Sequence, residues 1–481
     1  MKFLIPLALS TAFGFLFLAR FLTHSRLKHK VLFMILFSPA TGMALVSLLL
    51  FCIQILLAPQ ARFLSAAVPL ACIVLLCLRI PRFKKPVENC APQESAFTKI
   101  KHLLQPAGTP AIQNILGWLL AGLLFYTACH FWTYLTGYMS WNAFGGWDTR
   151  AFWTLKAHFL HRDPEQWQLL FSKQASWANS YYPLMIPGIT AWGWNLLGRE
   201  MLIWPMVIAA VFIFSLAGLL LWYLACWRSW ATALAACLFF LTTYAYRFWA
   251  GAMYCDIPLA FFETMAVLLW ISGLRLGEAR LFALAGLFAG FAGWTKNEGI
   301  LFILALTTST GLWLAILGRQ KKTAAGKFFL SFLCGLTIPL TIFLYFKIFL
   351  AVNKTLLIQT QTPQATLAAL TNWDRIAFIL AAFGAFKWRF ENWHGLWLLF
   401  AAALIYKPLA PKRGGRETAV WLPVLTIFLV ETGYLLVFAQ TPLNLQFHLQ
   451  TSMLRLLLHT GALALVFAFE TFGLSAEMPD T

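Results

Sequence analysis

Gly145-Gly146-Trp147-Asp148-Thr149-Arg150 joins a flexible turn to an acid and then to a run with Phe152, Leu155 and Phe159 at helical spacing. Arg150, Lys156 and His158 fall elsewhere on that wheel, the pattern of an amphipathic helix lying on a membrane surface. Further along come Tyr182-Pro183-Leu184, Arg247, Tyr254-Cys255-Asp256-Ile257-Pro258, Thr295-Lys296-Asn297-Glu298-Gly299, and finally His448 and Arg455. Acids and cations gathered at one face of a hydrocarbon layer suit a particular chemistry. A phosphate leaving group needs neutralising as its bond breaks, and an acceptor hydroxyl or amine needs a carboxylate to take its proton.

The elements that must hold these residues are apolar helices. The chain has 481 residues, 60% hydrophobic and 11% charged, and its mean hydropathy of +0.73 is far above that of a soluble domain. Its net charge of +19 comes from short loops: Arg20 to Lys30, Arg79 to Lys101, Arg275 and Arg280, Arg319 to Lys327, and Lys407 to Arg416. That is the positive-inside pattern, so the charge signals topology and excludes nucleic acid as a partner. Nine cysteines, odd in number and without a CxxC pair, read as small apolar residues and neither as a disulfide framework nor as a metal site.

Apolar runs predict an all-α polytopic membrane protein of about 13 transmembrane helices. Residues 1–110 form accessory helices and a basic cytoplasmic linker. Residues 111–350 form a catalytic core whose long first loop, 136–200, is extracytoplasmic and carries amphipathic helices. Residues 351–481 complete the site. Spans are expected near 113–135, 203–225, 230–249, 256–273, 281–293, 300–317, 327–350, 393–409, 419–439 and 452–472, with 375–392 an interfacial helix. This topology puts Asp148, Arg150, Lys156, Arg247, Asp256, Lys296, Glu298, His448 and Arg455 on the face opposite the basic loops, where clustered ionisable groups imply function. Each also has an ordinary reading: Asp148 and Asp256 cap helices, Lys296 and Arg455 snorkel to an interface, and His448 hydrogen-bonds at a loop end.

The order of these motifs, Gly146 to Ala151, Tyr182-Pro183-Leu184, Tyr254 to Leu259 and Thr295 to Gly299, resembles the type-C membrane glycosyltransferases, among them the aminoarabinose transferases and protein mannosyltransferases. The resemblance is good over about 113–300 and looser beyond, with His448 to Ser452 and Arg455 as a late motif. It implies transfer of a sugar from a polyprenyl-phosphate donor to a lipid, glycan or protein acceptor, without a cofactor or metal. By the same resemblance, Asp148 is the acceptor-activating base and Asp256 a second acid at the sugar. Lys296 and Arg455, with Arg247 as a helper, hold the donor phosphate, and Tyr182, Glu298, His448, Arg150 and Lys156 line the substrate pocket. Thr149 stands where many relatives carry the second acid of an Asp-Glu pair, which leaves the acceptor class and any metal role open.

Three other readings share the composition. A carrier or flippase of lipid-linked sugars has many spans but puts broken helices and polar groups at the bilayer midplane, often in repeated halves. A polysaccharide polymerase or ligase carries its large loop late in the chain, and a catalytically dead scaffold keeps the spans without the chemistry. Short loops point to a bacterial inner membrane, with the active site extracytoplasmic.

Overall fold

The computed structural model describes residues 2–78, 111–351, 362–409 and 420–473. The basic linker 79–110 with Cys90, and most of the basic loop at 410–419, lie outside the described residues. α1 (Leu4–Leu22) and α2 (Lys30–Leu56) form a hairpin, and α3 (Ala61–Leu78) follows a single 3-10 turn. α4 (Ala111–Trp141) leads into the segment that holds α5 (Leu155–Arg162) and α6 (Met185–Leu197). Next come α7 (Ile203–Trp227), α8 (Trp230–Thr242), α9 (Tyr244–Ala252), α10 (Asp256–Leu276), α11 (Ala279–Thr295) and α12 (Glu298–Tyr345). The last third holds α13 (Pro363–Thr371), α14 (Trp373–Trp388), the one-turn α15 (Phe390–Trp393), α16 (Leu396–Leu409), α17 (Trp421–Gln440) and α18 (Leu445–Phe472).

The fold is all-helical among the described residues. Among the described residues ten helical stretches are long and apolar enough to cross a membrane, or eleven if the bent pair α8–α9 is one span, as expected of an integral membrane protein. Two shorter apolar helices, α11 and α16, stand beside them. Membrane helices gain little from burying apolar surface against each other, so they pack where small residues let backbones touch. α1 and α2 do this at Gly14 and Gly42: a Cβ on Gly14 would lie 2.0 Å from the Ser38 carbonyl oxygen.

α12 carries two spans, Glu298–Ala315 and Ala324–Leu350, and they double back on each other. Gly299 packs on Ala292 while Phe328 stacks on Phe282 at 4.6 Å, both partners lying on α11. A straight helix would separate residues 299 and 328 by about 44 Å, against about 15 Å between 282 and 292.

α10 runs through the middle of the bundle, buried from Asp256 to Gly273. Its far end meets the basic loops. There Arg275 pairs with Glu470, and Glu278 accepts from the Ser25 hydroxyl at 2.5 Å and pairs with Arg26 at 3.6 Å. Asp256 begins the same helix, about 28 Å away along its axis.

One sequence expectation changes. The run 230–249 is not one straight helix: it bends by 62° at Thr243, whose extended backbone interrupts the ladder with no proline or glycine to announce it. Within the long segment 136–200, where the sequence predicts helices, α6 is a buried one packed against α2, where the Ser47 hydroxyl donates to the carbonyls of Leu184 (3.2 Å) and Met185 (3.0 Å). Residues 375–392 are largely exposed, with Ile379, Phe383 and Asn392 buried, and they are tied to α17. Arg375 caps the end of α17, donating to Ala439 O at 2.8 Å, and Lys387 pairs with Glu431 of α17 at 2.5 Å. That pairing lets a lysine sit beside apolar helices.

Candidate functional site

The turn at Gly145-Gly146 is pinned to the α9–α10 junction. Gly145 has a positive φ of 72°, and the Gly146 N–H donates to Ala252 O at 2.9 Å. A Cβ on Gly146 would lie 2.6 Å from the Tyr254 ring, so only glycine fits. The Thr149 hydroxyl donates to the carbonyls of Ala252 (2.9 Å) and Met253 (3.1 Å). In this chain, therefore, the residue after Asp148 anchors the loop. Asp148 makes no capping hydrogen bond; its Oδ2 pairs with Arg455 Nη1 of α18 at 2.5 Å. The Arg455 guanidinium also lies over Trp249 (5.5 Å) and Tyr254 (5.2 Å).

Asp256 is buried at the start of α10, and its side chain does not cap that helix either. Its Oδ1 accepts from Lys296 Nζ and from His459 Nε2, each at 3.0 Å. Lys296 is shared with Glu298 at 2.9 Å, and His459 Nδ1 lies 2.9 Å from the Tyr434 hydroxyl of α17. If Nε2–H of a neutral ring donates to the carboxylate, Nδ1 accepts from Tyr434. Arg455 and His459 are one turn apart on α18 and share a face, which links the Asp148 pair to the Asp256 cluster.

A second group of residues adjoins these. Lys156 is fully buried and donates to the carbonyls of Asn179 (2.7 Å) and Tyr182 (3.3 Å). Lys347 donates to Tyr181 O (2.5 Å) and to Asn297 Oδ1 (2.6 Å), one residue from Lys296 and Glu298. Burial pushes the Tyr181 phenol up to about 12 and the Tyr182 phenol well above its usual range, so both stay protonated at neutral pH.

The chain matches no family model, no curated protein and no solved structure. What it can do is therefore argued from geometry.

The structure brings Asp148, Asp256, Lys296, Glu298 and Arg455 together, with Tyr182 near enough to feel Glu298, Arg455 and Asp148, and Lys156 donating to the Tyr182 carbonyl. Arg247 and Arg150 lie elsewhere, and His448 stands at the site's edge, where it feels the charges of Arg455 and Glu298. Arg247 lies against Phe131 and Tyr134 of α4, 5.8 and 5.1 Å from their rings, beside His130. Arg150 is exposed on the π-helical turn Thr149–Thr154. His448 ties the first turn of α18 to Thr441 Oγ1 at 2.9 Å. The expected amphipathic face is also displaced: Trp153, Lys156, Ala157 and Leu160 are buried, while Phe152, Leu155 and Phe159 are only half-buried. A π-helical turn takes more residues per turn than an α-helix, so the phase read from 152 onward is wrong by the time it reaches Lys156.

Sequence reasoning missed His459, Tyr434, Lys347 and Glu263. The last is fully buried two turns below Asp256 on α10, with Oε1 unpartnered among the described residues. An ionisable residue inside a span was the available signal for three of them. Among the described residues no three His, Cys, Asp or Glu side chains form a metal-ligand set. Between Asp256 and Glu298 the Lys296 ammonium supplies the positive charge.

Burial holds Lys156 down at about 7 against an ordinary 10.5; the nearby Cys255 thiol opposes that shift and the Lys347 ammonium adds to it. Between those values the unfolded chain binds the proton and the folded protein does not, so this residue makes stability rise with pH from about 7 to about 10.5. Thermal unfolding across that window should show a steeper rise for the wild type than for Lys156→Gln; parallel curves would contradict the assignment.

Proposed function

We propose that this protein is a glycosyltransferase that moves a sugar from a polyprenyl-phosphate donor to an acceptor on the extracytoplasmic side of a membrane, the inner membrane in a bacterial cell. The observation that carries the reading is the junction on α18: Arg455 and His459, one turn apart, join Asp148 to Asp256 across 108 positions of sequence. The two acids are unlike. Asp148 keeps about a fifth of its side chain exposed and has one cationic partner, as suits a base that receives an acceptor's proton. Asp256 is enclosed and accepts from two donors on one oxygen, which suits a fixed negative charge beside the sugar. Lys296 and Arg455 pair with the two acids, and Lys156 and Lys347 hold the adjoining turn Asn179–Tyr182; these are the four cations the site can offer a phosphate leaving group. The chemistry asks for no cofactor or metal.

Counting α8–α9, α11 and α16 as spans gives the thirteen that the apolar runs suggest. The basic loops at the far end of α10 then face the cytoplasm. A carrier of lipid-linked sugars is the second reading, favoured by the 62° break in α8–α9. The deciding experiment supplies purified protein in detergent with a polyprenyl-phosphate donor bearing labelled sugar, together with lipid, glycan and protein acceptors. Label should move to an acceptor. Redistribution of intact donor between leaflets of a proteoliposome, with no label transferred, would favour the carrier.

A further inference from the structure

The four cations of the site are unequally neutralised. Lys296 is shared by two carboxylates, and Arg455 holds Asp148. Lys156 and Lys347 meet only neutral oxygens: three main-chain carbonyls of the turn Asn179–Tyr182, and the Asn297 amide. Carbonyl dipoles solvate a buried ammonium without cancelling its charge. Both lysines are therefore poised for an anion, and both come from irregular helix. Lys347 lies in the π-helical turn Phe346–Leu350, and Lys156 follows the π-helical turn Thr149–Thr154 by two residues.

The turn that engages them is itself strained. Asn179 has a φ of 50°, left-handed for a residue with a Cβ, and its carbonyl also closes the turn by accepting from the Tyr182 N–H at 3.0 Å. Aromatic rings flank both ammoniums, Trp153 and Tyr182 around Lys156, and Tyr181, Phe343 and Phe346 around Lys347.

We infer that Lys156 and Lys347 form the subsite for the donor phosphate, and that the phosphate takes the place now held by the carbonyls of Asn179, Tyr181 and Tyr182. The inference rests on the glycosyl-transfer reading and sharpens it, since it moves the phosphate from the carboxylate-paired Lys296 and Arg455 to two lysines that hydrogen-bond only to neutral oxygens, with Glu298 acting on Lys347 from further off. In the reaction the acceptor oxygen bonds the sugar's anomeric carbon and gives its proton to Asp148. The bond from that carbon to the phosphate oxygen breaks, its electron pair staying on the oxygen. A singly charged phosphodiester thereby becomes a doubly charged monoester. Two lysines that no carboxylate pairs match the charge that develops, and the anion draws onto Lys156 the proton that burial loosens, which favours the transition state over the ground state.

The test uses the full chain in detergent and measures binding by calorimetry and by thermal shift. The probes are farnesyl monophosphate, farnesol and inorganic phosphate. Glutamine at each lysine keeps a donor for the carbonyls and removes the charge. Wild type should bind farnesyl monophosphate and not farnesol, and Lys156→Gln with Lys347→Gln should weaken that binding by about 10- to 100-fold. The double variant's own unfolding temperature should stay close to that of the wild type; if it does not fold, each single variant should lose about tenfold. Equal binding by wild type and variants overturns the subsite and leaves the donor reading standing. No binding by wild type removes both. Inorganic phosphate bound as tightly as the lipid, and lost in the variants, identifies an anion site for free phosphate and overturns the assignment to a lipid donor.

Discussion

Asp148→Asn should reduce sugar transfer by about 10²- to 10⁴-fold, the usual contribution of a positioned general base, with the protein folded and the donor still bound. The substitution is nearly isosteric, and the amide oxygen still accepts from Arg455, whose guanidinium also rests on Trp249 and Tyr254. The pair is mostly buried, 17% exposed for Arg455 and 22% for Asp148, so what limits the cost is the hydrogen bond that the asparagine oxygen keeps with the guanidinium. A capping role would predict something else: fraying of the following helix and a lower unfolding temperature. Asp148 donates nothing to that role, because its side chain makes no cap hydrogen bond. Steady-state kinetics separate the cases. The expected loss is in kcat with farnesyl monophosphate affinity unchanged, and a variant that keeps a third of wild-type turnover would remove Asp148 from the chemistry.

The sequence made the apolar helices legible, because a run of about 20 apolar residues is a local signal. Asp148, Asp256, Lys296, Glu298 and Arg455 were legible for the same reason, each standing near the end of an apolar run at the face away from the basic loops. What could not be read was non-local or irregular. His459 and Tyr434 lie inside apolar spans, where a hydropathy average absorbs a single polar residue; their meaning comes only from Asp256, about 200 positions away in sequence for His459. Lys156 looked like a surface cation, since an α-helical wheel cannot anticipate a π-helical turn. Arg247 looked like a site cation by its place beside the Asp256 motif, yet the break at Thr243 turns α9 so that it lies on α4. α6 is too short to span and too polar at its flanks to suggest burial, and only its packing on α2 makes it core.

Removing Lys296 should be more damaging than removing either acid it holds. Lys296→Met leaves Asp256 and Glu298 buried without their shared cation, and stripping one partner from a buried pair costs about 3–5 kcal/mol. Set against a total stability of about 5–15 kcal/mol, that loss should appear as poor folded yield and a sharply lower unfolding temperature. Asp256→Asn should behave differently. Lys296 keeps Glu298 at 2.9 Å, and the asparagine oxygen still accepts from Lys296 and His459, so the bundle survives while transfer falls by about 10²-fold or more. The contrast assigns two jobs within one cluster. The ammonium ties together the adjoining ends of α10, α11 and α12, and the Asp256 charge works on the substrate. His459→Gln gives an intermediate check, because glutamine can still donate to Asp256 but cannot also accept from Tyr434 through a rigid ring. If Lys296→Met folds and melts like wild type, the ion cluster is not what joins these helix ends. If Asp256→Asn also keeps full turnover, the buried carboxylate has no part in the reaction, and Asp148 would have to act alone.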